Sequence, residues 1–490
     1  VAAENCALTT FEPVIGLEIH AELETNSKMF CGCAVVDSTT AEANTVVCPV
    51  CLGMPGMLPV INKHAIEMAI MVGLALHCEI EPISQFARKS YFYPDLPKGY
   101  QISQYGLPLA RNGWVEIDLP DGSSKRIRIR RAHLEEDTGK STHIGQISLM
   151  DFNRSGVPLL EIVTEPDIRS PEEAELYARK VRSILQYLGV NSGDMSKGVL
   201  RLESNISVRP TGSSELRNRT EVKNLNSIRS LTRASAYEIA RQTRIYDENG
   251  TVQQATLGWD ETRQMTTIQR VKENEDDYRY FPEPDLPIVE VSRAWVEEIR
   301  AHLPELPDAK RNRLMAAGLS PYDAGVLSAE RSISRYFDDV VRAGAEPKKA
   351  ATWIINEVFR LMNKAALERE QINEIKVTPQ ALAALIQAID RATISNNAAK
   401  TVLDALFNDG GDPAAIIQAK GLALVSDEGP IREKVVAVLD ASPTEVARYA
   451  AGEVKVAQLL MGTVMRAVGK GGNPKVVSQV LTEELEKRKL

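Results

Sequence analysis

Between Val14 and Leu23 the chain reads Val-Ile-Gly-Leu-Glu-Ile-His-Ala-Glu-Leu, and this alternation constrains the fold more than any other stretch. Successive side chains on a strand point to opposite faces. Ile15, Leu17, Ile19 and Leu23 therefore share one side, while Glu18, His20 and Glu22 share the other, each about 7 Å from the next. One face is core and the other is a row of oxygen and nitrogen ligands. The pattern returns at 199–209, where Arg201, Glu203, Asn205, Ser207 and Arg209 oppose Leu200, Leu202, Ile206 and Val208. It continues weakly at 219–223 with Glu221 and Lys223 on one side. At 158–163 a single carboxylate, Glu161, stands in an apolar run, which is costly unless something positive meets it.

An antiparallel sheet with one solvated face explains any one such strand. Several strands whose polar faces carry Glu, His, Asn and Arg also suit a site for Mg²⁺ and phosphates, which takes carboxylate oxygens and needs basic groups for developing charge. No G-x-x-x-x-G-K-[ST] loop and no G-x-G-x-x-G occurs, so any nucleotide must be held by another scaffold.

Short alternating segments separated by Gly, Pro, Asn and Asp run from Phe11 to about Val291, predicting a sheet-rich part. A helix is expected over 170–188, with Ser170 as cap, Pro171 in the first turn and Gly189 as stop. Beyond Ser292 the text changes to Ala-rich amphipathic runs such as 353–367 and 379–389. A softer break near 426–430 precedes four short helices at 431–439, 443–451, 454–468 and 474–489. The expected class is α+β, divided at 1–292, 293–424 and 425–490. A chain of 490 residues that is 43% hydrophobic has enough apolar material for several cores. It has no run of 18 apolar residues and no signal-peptide pattern at its start, so no membrane partner is expected. The expected location is the cytoplasm, or an organellar stroma or matrix if a transit peptide has been removed. A net charge of −8 excludes coating nucleic acid through the overall field but allows a specific RNA partner at local Lys/Arg clusters.

Cys31-Gly32-Cys33 followed by Cys48-Pro49-Val50-Cys51 has the form C-x-C…C-x-x-C. Four thiolates at this spacing can close a tetrahedron on structural Zn²⁺ and staple a loop; the alternative is four buried thiols. Cys6 and Cys78 lack sequence partners. The basic strand at 124–131 could face phosphates or simply be solvated. His133 neighbours the acidic run Glu135-Glu136-Asp137, while His64, His77 and His302 carry no functional signal.

Several motifs then point one way: Ile15-Gly16-Leu17-Glu18-Ile19-His20, Tyr91-Phe92-Tyr93-Pro94-Asp95, His133-Leu134-Glu135-Glu136-Asp137, Asn153-Arg154-Ser155-Gly156-Val157-Pro158-Leu159-Leu160-Glu161, Glu221-Val222-Lys223-Asn224-Leu225-Asn226-Ser227 and Asp277-Tyr278-Arg279-Tyr280-Phe281-Pro282. Together they span nearly the whole sheet-rich half, and the chain resembles the GatB family, the kinase and tRNA-binding subunits of bacterial-type Glu-tRNA(Gln)/Asp-tRNA(Asn) amidotransferases. The resemblance implies a glutamine-synthetase-like antiparallel-sheet cradle, an all-α helical domain and a small YqeY-type helical tail that contacts tRNA. By motif match it implies that Glu18, His20, Glu136, Glu161, Glu203 and Glu221 hold Mg²⁺ and ATP and carry the catalysis. Arg154, Arg201 and Lys223 are candidates for the transferring phosphoryl group.

The implied reaction is ATP-dependent phosphorylation of the side-chain carboxylate of Glu-tRNA(Gln) or Asp-tRNA(Asn), followed by amidation, as in a carbon–nitrogen ligase that uses glutamine as amido donor. No defensible Cys nucleophile with a His base is present, so ammonia is expected from a partner amidase subunit, with a small third subunit tying the two together in a heterotrimer. Lys455, Arg466, Lys470, Lys475, Lys487 and Arg488 are candidate tRNA phosphate contacts or ordinary surface. A non-catalytic, zinc-containing tRNA-binding scaffold is the alternative, and a free-standing ATP-dependent ligase of a small acid a further rival.

Overall fold

The alternating segment that opens the chain forms strand β1 (Phe11–Glu22), and the rest of the first unit is organised around it. The computed structural model describes residues 10–271, 278–424, 427–469 and 471–488. Cys6, Asp277 and Lys470, named above, lie outside the described residues, as do Val1–Thr9 and Ser426. Two compact units divide the chain, Val1–Pro307 and Asp308–Leu490.

In the first unit the strands after β1 are β2 (Glu79–Ile80), β3 (Ile83–Ser90), β4 (Tyr100–Leu107), β5 (Ala110–Asp118) and β6 (Ser124–Glu136). A separate hairpin, β7 (Lys140–Ile144) and β8 (Ile147–Asp151), precedes β9 (Pro158–Thr164). Last come β10 (Leu200–Pro210), β11 (Thr220–Leu225), β12 (Ala255–Asp260) and β13 (Met265–Val271). The sheet runs in the order β13-β12-β11-β10-β1-β9-β6-β4-β3, with β5 joined to β6.

The expected all-antiparallel sheet is corrected to a mixed one, because β11 and β12 pair in parallel. Parallel neighbours need a crossover, which helix α3 (Ile228–Asp247) supplies. Ahead of it in the chain are α1 (Lys63–Ala75) and α2 (Pro171–Leu188). α2 forms as read: the Ser170 hydroxyl accepts from the Glu173 N–H, and Gly189 leaves the helix at φ 71°. α1 packs on β6, α2 on β5 and α3 on β10. Ile15, Leu17 and Ile19 of β1 join Ile70, Tyr177 and Leu231 of these helices in one core, so the apolar face of β1 is covered as its alternation requires. Helix α4 (Arg293–Ala301) begins at the Ser292 cap, where the composition changes, and packs Trp295, Val296 and Ile299 against the same core.

The second unit is helical among its described residues and holds two separate apolar clusters. One gathers Tyr336, Phe337, Ile354 and Leu403. The other gathers Val435, Leu460, Val464 and Val480 from helices Glu428–Asp440, Val456–Val468 and Pro474–Lys487.

Ile162, at the centre of β9 between β1 and β6, is 0% exposed. Ile162→Ala is expected to lower stability by about 2–5 kcal/mol, read as a lower urea midpoint. An unchanged midpoint would contradict this packing.

Candidate functional site

Opposite the covered face, a cavity of about 700 Å³ opens over the centre of the sheet. Glu18 and His20 of β1, Glu161 of β9, His133 and Glu135 of β6, Glu203 and Asn205 of β10, and Glu221 and Lys223 of β11 all line it. Register alone brings them together. Glu18 is opposite Glu203, His20 opposite Glu161, His133 opposite Glu161, and Asn205 opposite Glu221. Paired strands lie about 4.8 Å apart, so carboxylates distant in sequence become direct neighbours.

Two groups result, each with candidate ligand atoms within 4.8 Å of one another: His20, Glu135 and Glu161, and Glu18, Glu203 and Glu221. In the first, Glu161 Oε2 lies 3.6 Å from His20 Nε2 and 3.4 Å from His133 Nε2. Glu135 takes a hydrogen bond from Ser103 Oγ at 2.6 Å and stands 3.3 Å from His133 Nε2. In the second, Asn205 Nδ2 donates to Glu18 at 2.8 Å and Lys223 Nζ donates to Glu203 at 2.8 Å. Lys223 Nζ also lies 3.4 Å from Glu221, and Thr256 Oγ1 donates to Glu221 at 3.0 Å.

The electrostatics record a surplus of negative charge. Burial, reinforced by Glu161, Glu203 and Glu221, raises the Glu18 carboxyl above its ordinary range. Burial works against a charged His20, yet the close approach of Glu161 and that carboxylate's charge push the imidazole up to about 9. Burial likewise opposes ionisation of Glu161, but His133 and His20 hold it below the usual carboxylate range. His20 Nδ1, His133 Nδ1 and Asn205 Oδ1 are buried without a hydrogen-bond partner. Hard oxygens, imidazoles and unsatisfied acceptors fit divalent cations: a bound ion would relieve the repulsion at Glu18 and displace the His20 proton.

Glu136, Arg154 and Arg201, all expected at this site, do not line the cavity. Alternation on β6 turns Arg131, His133 and Glu135 one way and Leu134 and Glu136 the other. Glu136 is buried in an ion pair with Lys98 and accepts from the Ile102 N–H at 3.0 Å. Arg201 donates to Asp137 at 2.7 Å and reaches Glu22 at 3.5 Å, while Arg154 lies 3.8 Å from Asp137. Burial and the Asp137 charge push Glu22 up to about 8. The sequence reading passed over His133 and Glu135 as ligands, and also Lys89 of β3. Counting His133-x-Glu135 in phase along one strand would have found the first two. Lys89, set in Arg-Lys-Ser without alternating neighbours, gave no comparable signal.

The four cysteines form a third group. The Sγ atoms of Cys31, Cys33, Cys48 and Cys51 lie within 4.8 Å of one another, with Cys48 and Cys51 at 3.9 Å. Tetrahedral zinc with Zn–S near 2.3 Å needs thiolates about 3.8 Å apart, so this cluster could hold zinc. Buried Lys28 donates to Cys51 Sγ at 3.6 Å, to the Phe152 carbonyl at 3.2 Å and to the Val46 carbonyl at 3.0 Å, tying the thiolates to the segment before β9. A hydrogen bond from Cys31 is the largest influence holding the Cys51 thiol down to about 4, with Lys28 adding to it. Cys78 is buried away from this group.

Residues 13–297 match the GatB/GatE catalytic domain, and residues 335–485 match the GatB domain. The chain is similar to the GatB-type aspartyl/glutamyl-tRNA(Asn/Gln) amidotransferase subunit of Carboxydothermus hydrogenoformans, with 48% identity covering 97% of this chain and 99% of the relative. The protein of the same name from Caldicellulosiruptor saccharolyticus is 49% identical over 97% and 99%. That from Moorella thermoacetica is 49% identical over 97% and 100%. Among the described residues no helix is long and apolar enough to cross a membrane.

Elemental analysis of the purified chain is expected to find zinc in equimolar amount, with Cys51→Ser losing the metal and lowering the melting temperature. Metal-free wild-type protein of unchanged stability would remove zinc from the cluster.

Proposed function

This chain belongs to the GatB family of aspartyl/glutamyl-tRNA(Asn/Gln) amidotransferase subunits, and from that premise we propose that its cavity phosphorylates the side-chain carboxylate of a mischarged aminoacyl-tRNA. The observation that carries this reading is the convergence of two ionisable groups, His20/Glu135/Glu161 and Glu18/Glu203/Glu221, in one cavity. A carboxylate is a poor acyl donor because its leaving group would be an oxide; phosphate is a workable one. ATP supplies the phosphate, and ammonia then attacks the acyl carbon to give Gln-tRNA(Gln) or Asn-tRNA(Asn).

Within this reading the six carboxylate and imidazole groups hold Mg²⁺, with Glu135 taking the place that motif matching gave to Glu136. The bound ions would supply positive charge against the triphosphate. Glu18 and Glu161, backed by Glu203 and Glu221, fix where that charge sits. His133 and Ser103 orient Glu161 and Glu135 through the contacts above. Lys223 contributes a cation on the opposite flank. Arg154 and Arg201 act around Asp137 and Glu22 instead, where they brace the segment leading into β9.

The sheet is proposed to be a cradle of the glutamine-synthetase kind, with divisions at 1–292, 293–424 and 425–490 and a tRNA-binding tail. Ammonia would come from the partner amidase, held with the small third subunit in a heterotrimer. Zinc on Cys31, Cys33, Cys48 and Cys51 would staple the loop ahead of α1 without touching the reaction.

With the partner subunits, Glu-tRNA(Gln) and ATP, Glu161→Gln and Glu18→Gln are expected to cut tRNA-dependent ADP formation by at least about 100-fold while leaving tRNA affinity unchanged. Full ADP formation by both variants would favour the scaffold reading. Glu136→Gln separates the two faces of β6: it leaves Lys98 unpaired and is expected to cost on the order of 3–5 kcal/mol of stability, with turnover retained below the melting temperature.

A further inference from the structure

We propose that Arg131 is the guanidinium that meets the phosphoryl group in transfer; this assignment rests on the phosphoryl-transfer reading above. Its place follows from the register of β6. From Ile129 to Arg131 that strand advances two residues while β9 advances one, Thr164 to Val163, which makes a bulge. Alternation breaks there, and Arg130 and Arg131 both line the cavity. Beyond the bulge Arg131, His133 and Glu135 follow at intervals of two, so the guanidinium rises from the face that carries the candidate metal ligands. Arg131 pairs with Val163, which pairs in turn with Glu18.

Of the other Lys and Arg side chains that line the cavity, Arg219 is exposed and the remaining four are engaged. Arg130 makes a two-point pair with Glu165 at 3.0 and 2.9 Å. Lys223 is shared by Glu203 and Glu221, and Lys89 faces the charges of Glu135 and Glu161. Arg217 lies over the rings of Tyr246 and Phe11. Arg131 has no carboxylate partner among the described residues, and its Nε is buried without an acceptor. A buried donor of this kind is costly until something supplies the acceptor.

Its surroundings favour an oxyanion. Arg131 Cζ lies 5.6 Å from the centre of the Tyr105 ring, and Tyr105 stacks on Tyr280 at 4.0 Å with 12° between the planes. A guanidinium carries paired N–H donors in one plane, and such a pair matches two oxygens of a phosphate. In the step itself a carboxylate oxygen of the aminoacyl group forms a bond to the γ-phosphorus of ATP. The bond from that phosphorus to the β,γ-bridging oxygen breaks, and its electron pair leaves on ADP. Arg131 donates through its guanidinium N–H groups to non-bridging oxygens while charge is spread over them, and no proton moves.

The test uses the complete enzyme with Glu-tRNA(Gln), ATP and ammonium as nitrogen donor. Arg131→Ala is expected to lower kcat for tRNA-dependent ADP formation by about 100-fold, and added guanidinium ion is expected to restore part of the loss. Arg131→Lys, which folds with its charge kept, is expected to be impaired because it lacks the planar edge. By calorimetry Arg131→Ala is expected to bind ADP as the wild type does but ADP with aluminium fluoride more weakly. The assignment is overturned by a wild-type rate in either variant, by slow turnover with no guanidinium rescue, or by equal loss of affinity for both ligands. A wild-type enzyme that forms no ADP on either Glu-tRNA(Gln) or Asp-tRNA(Asn) would instead overturn the phosphoryl-transfer reading itself.

Discussion

Mutual repulsion among carboxylates on the exposed face of β1 and its neighbours is the constraint on which the rest of this site depends. Glu18 lies opposite Glu203 across the pair β1–β10, and Glu221 of the next strand completes a group of three carboxylates. No sheet gains stability from such neighbours on their own account, since like charges in direct register are unfavourable and burial makes them more so. The protein offsets part of the cost with Lys223, Lys89, His20 and His133, and it leaves Glu18 with a raised affinity for a proton. A surface kept this way is poised for cations from solution, and these are also what a triphosphate brings with it.

The opposite face of the same strands explains why the arrangement persists. Ile15, Leu17, Ile19 and Ile162 are locked into a core closed by four helices, so strand register cannot slip without turning apolar residues into the cavity and carboxylates into the core. Stability and function therefore share one period-two pattern, and the charged face draws its geometry from the packed one.

That shared pattern makes much of the fold legible in the sequence. The alternation at Val14–Leu23 points to β1 and to its two polar cavity residues, Glu18 and His20, though not to the turning away of Glu22, and the Ser170 and Gly189 signals bound α2. The thiol spacing anticipated a cluster that the fold brings together. What escaped was set by events the local sequence does not encode plainly. Motif matching names Glu136 and not Glu135, because the run His133-Leu134-Glu135-Glu136-Asp137 does not itself show the phase of β6, which is decided by pairing with β9. The bulge before Arg131 depends on that pairing too. The parallel pairing of β11 with β12 arises from the path of α3, and Arg201, although in phase on β10, is captured by Asp137 from another loop.

Locating divalent cations directly tests the central claim. Crystals soaked with Mn²⁺ and a non-hydrolysable ATP analogue should show anomalous scattering peaks within bonding distance of His20, Glu135 and Glu161 and of Glu18, Glu203 and Glu221. Peaks confined to other surfaces, with the nucleotide bound elsewhere, would contradict the account.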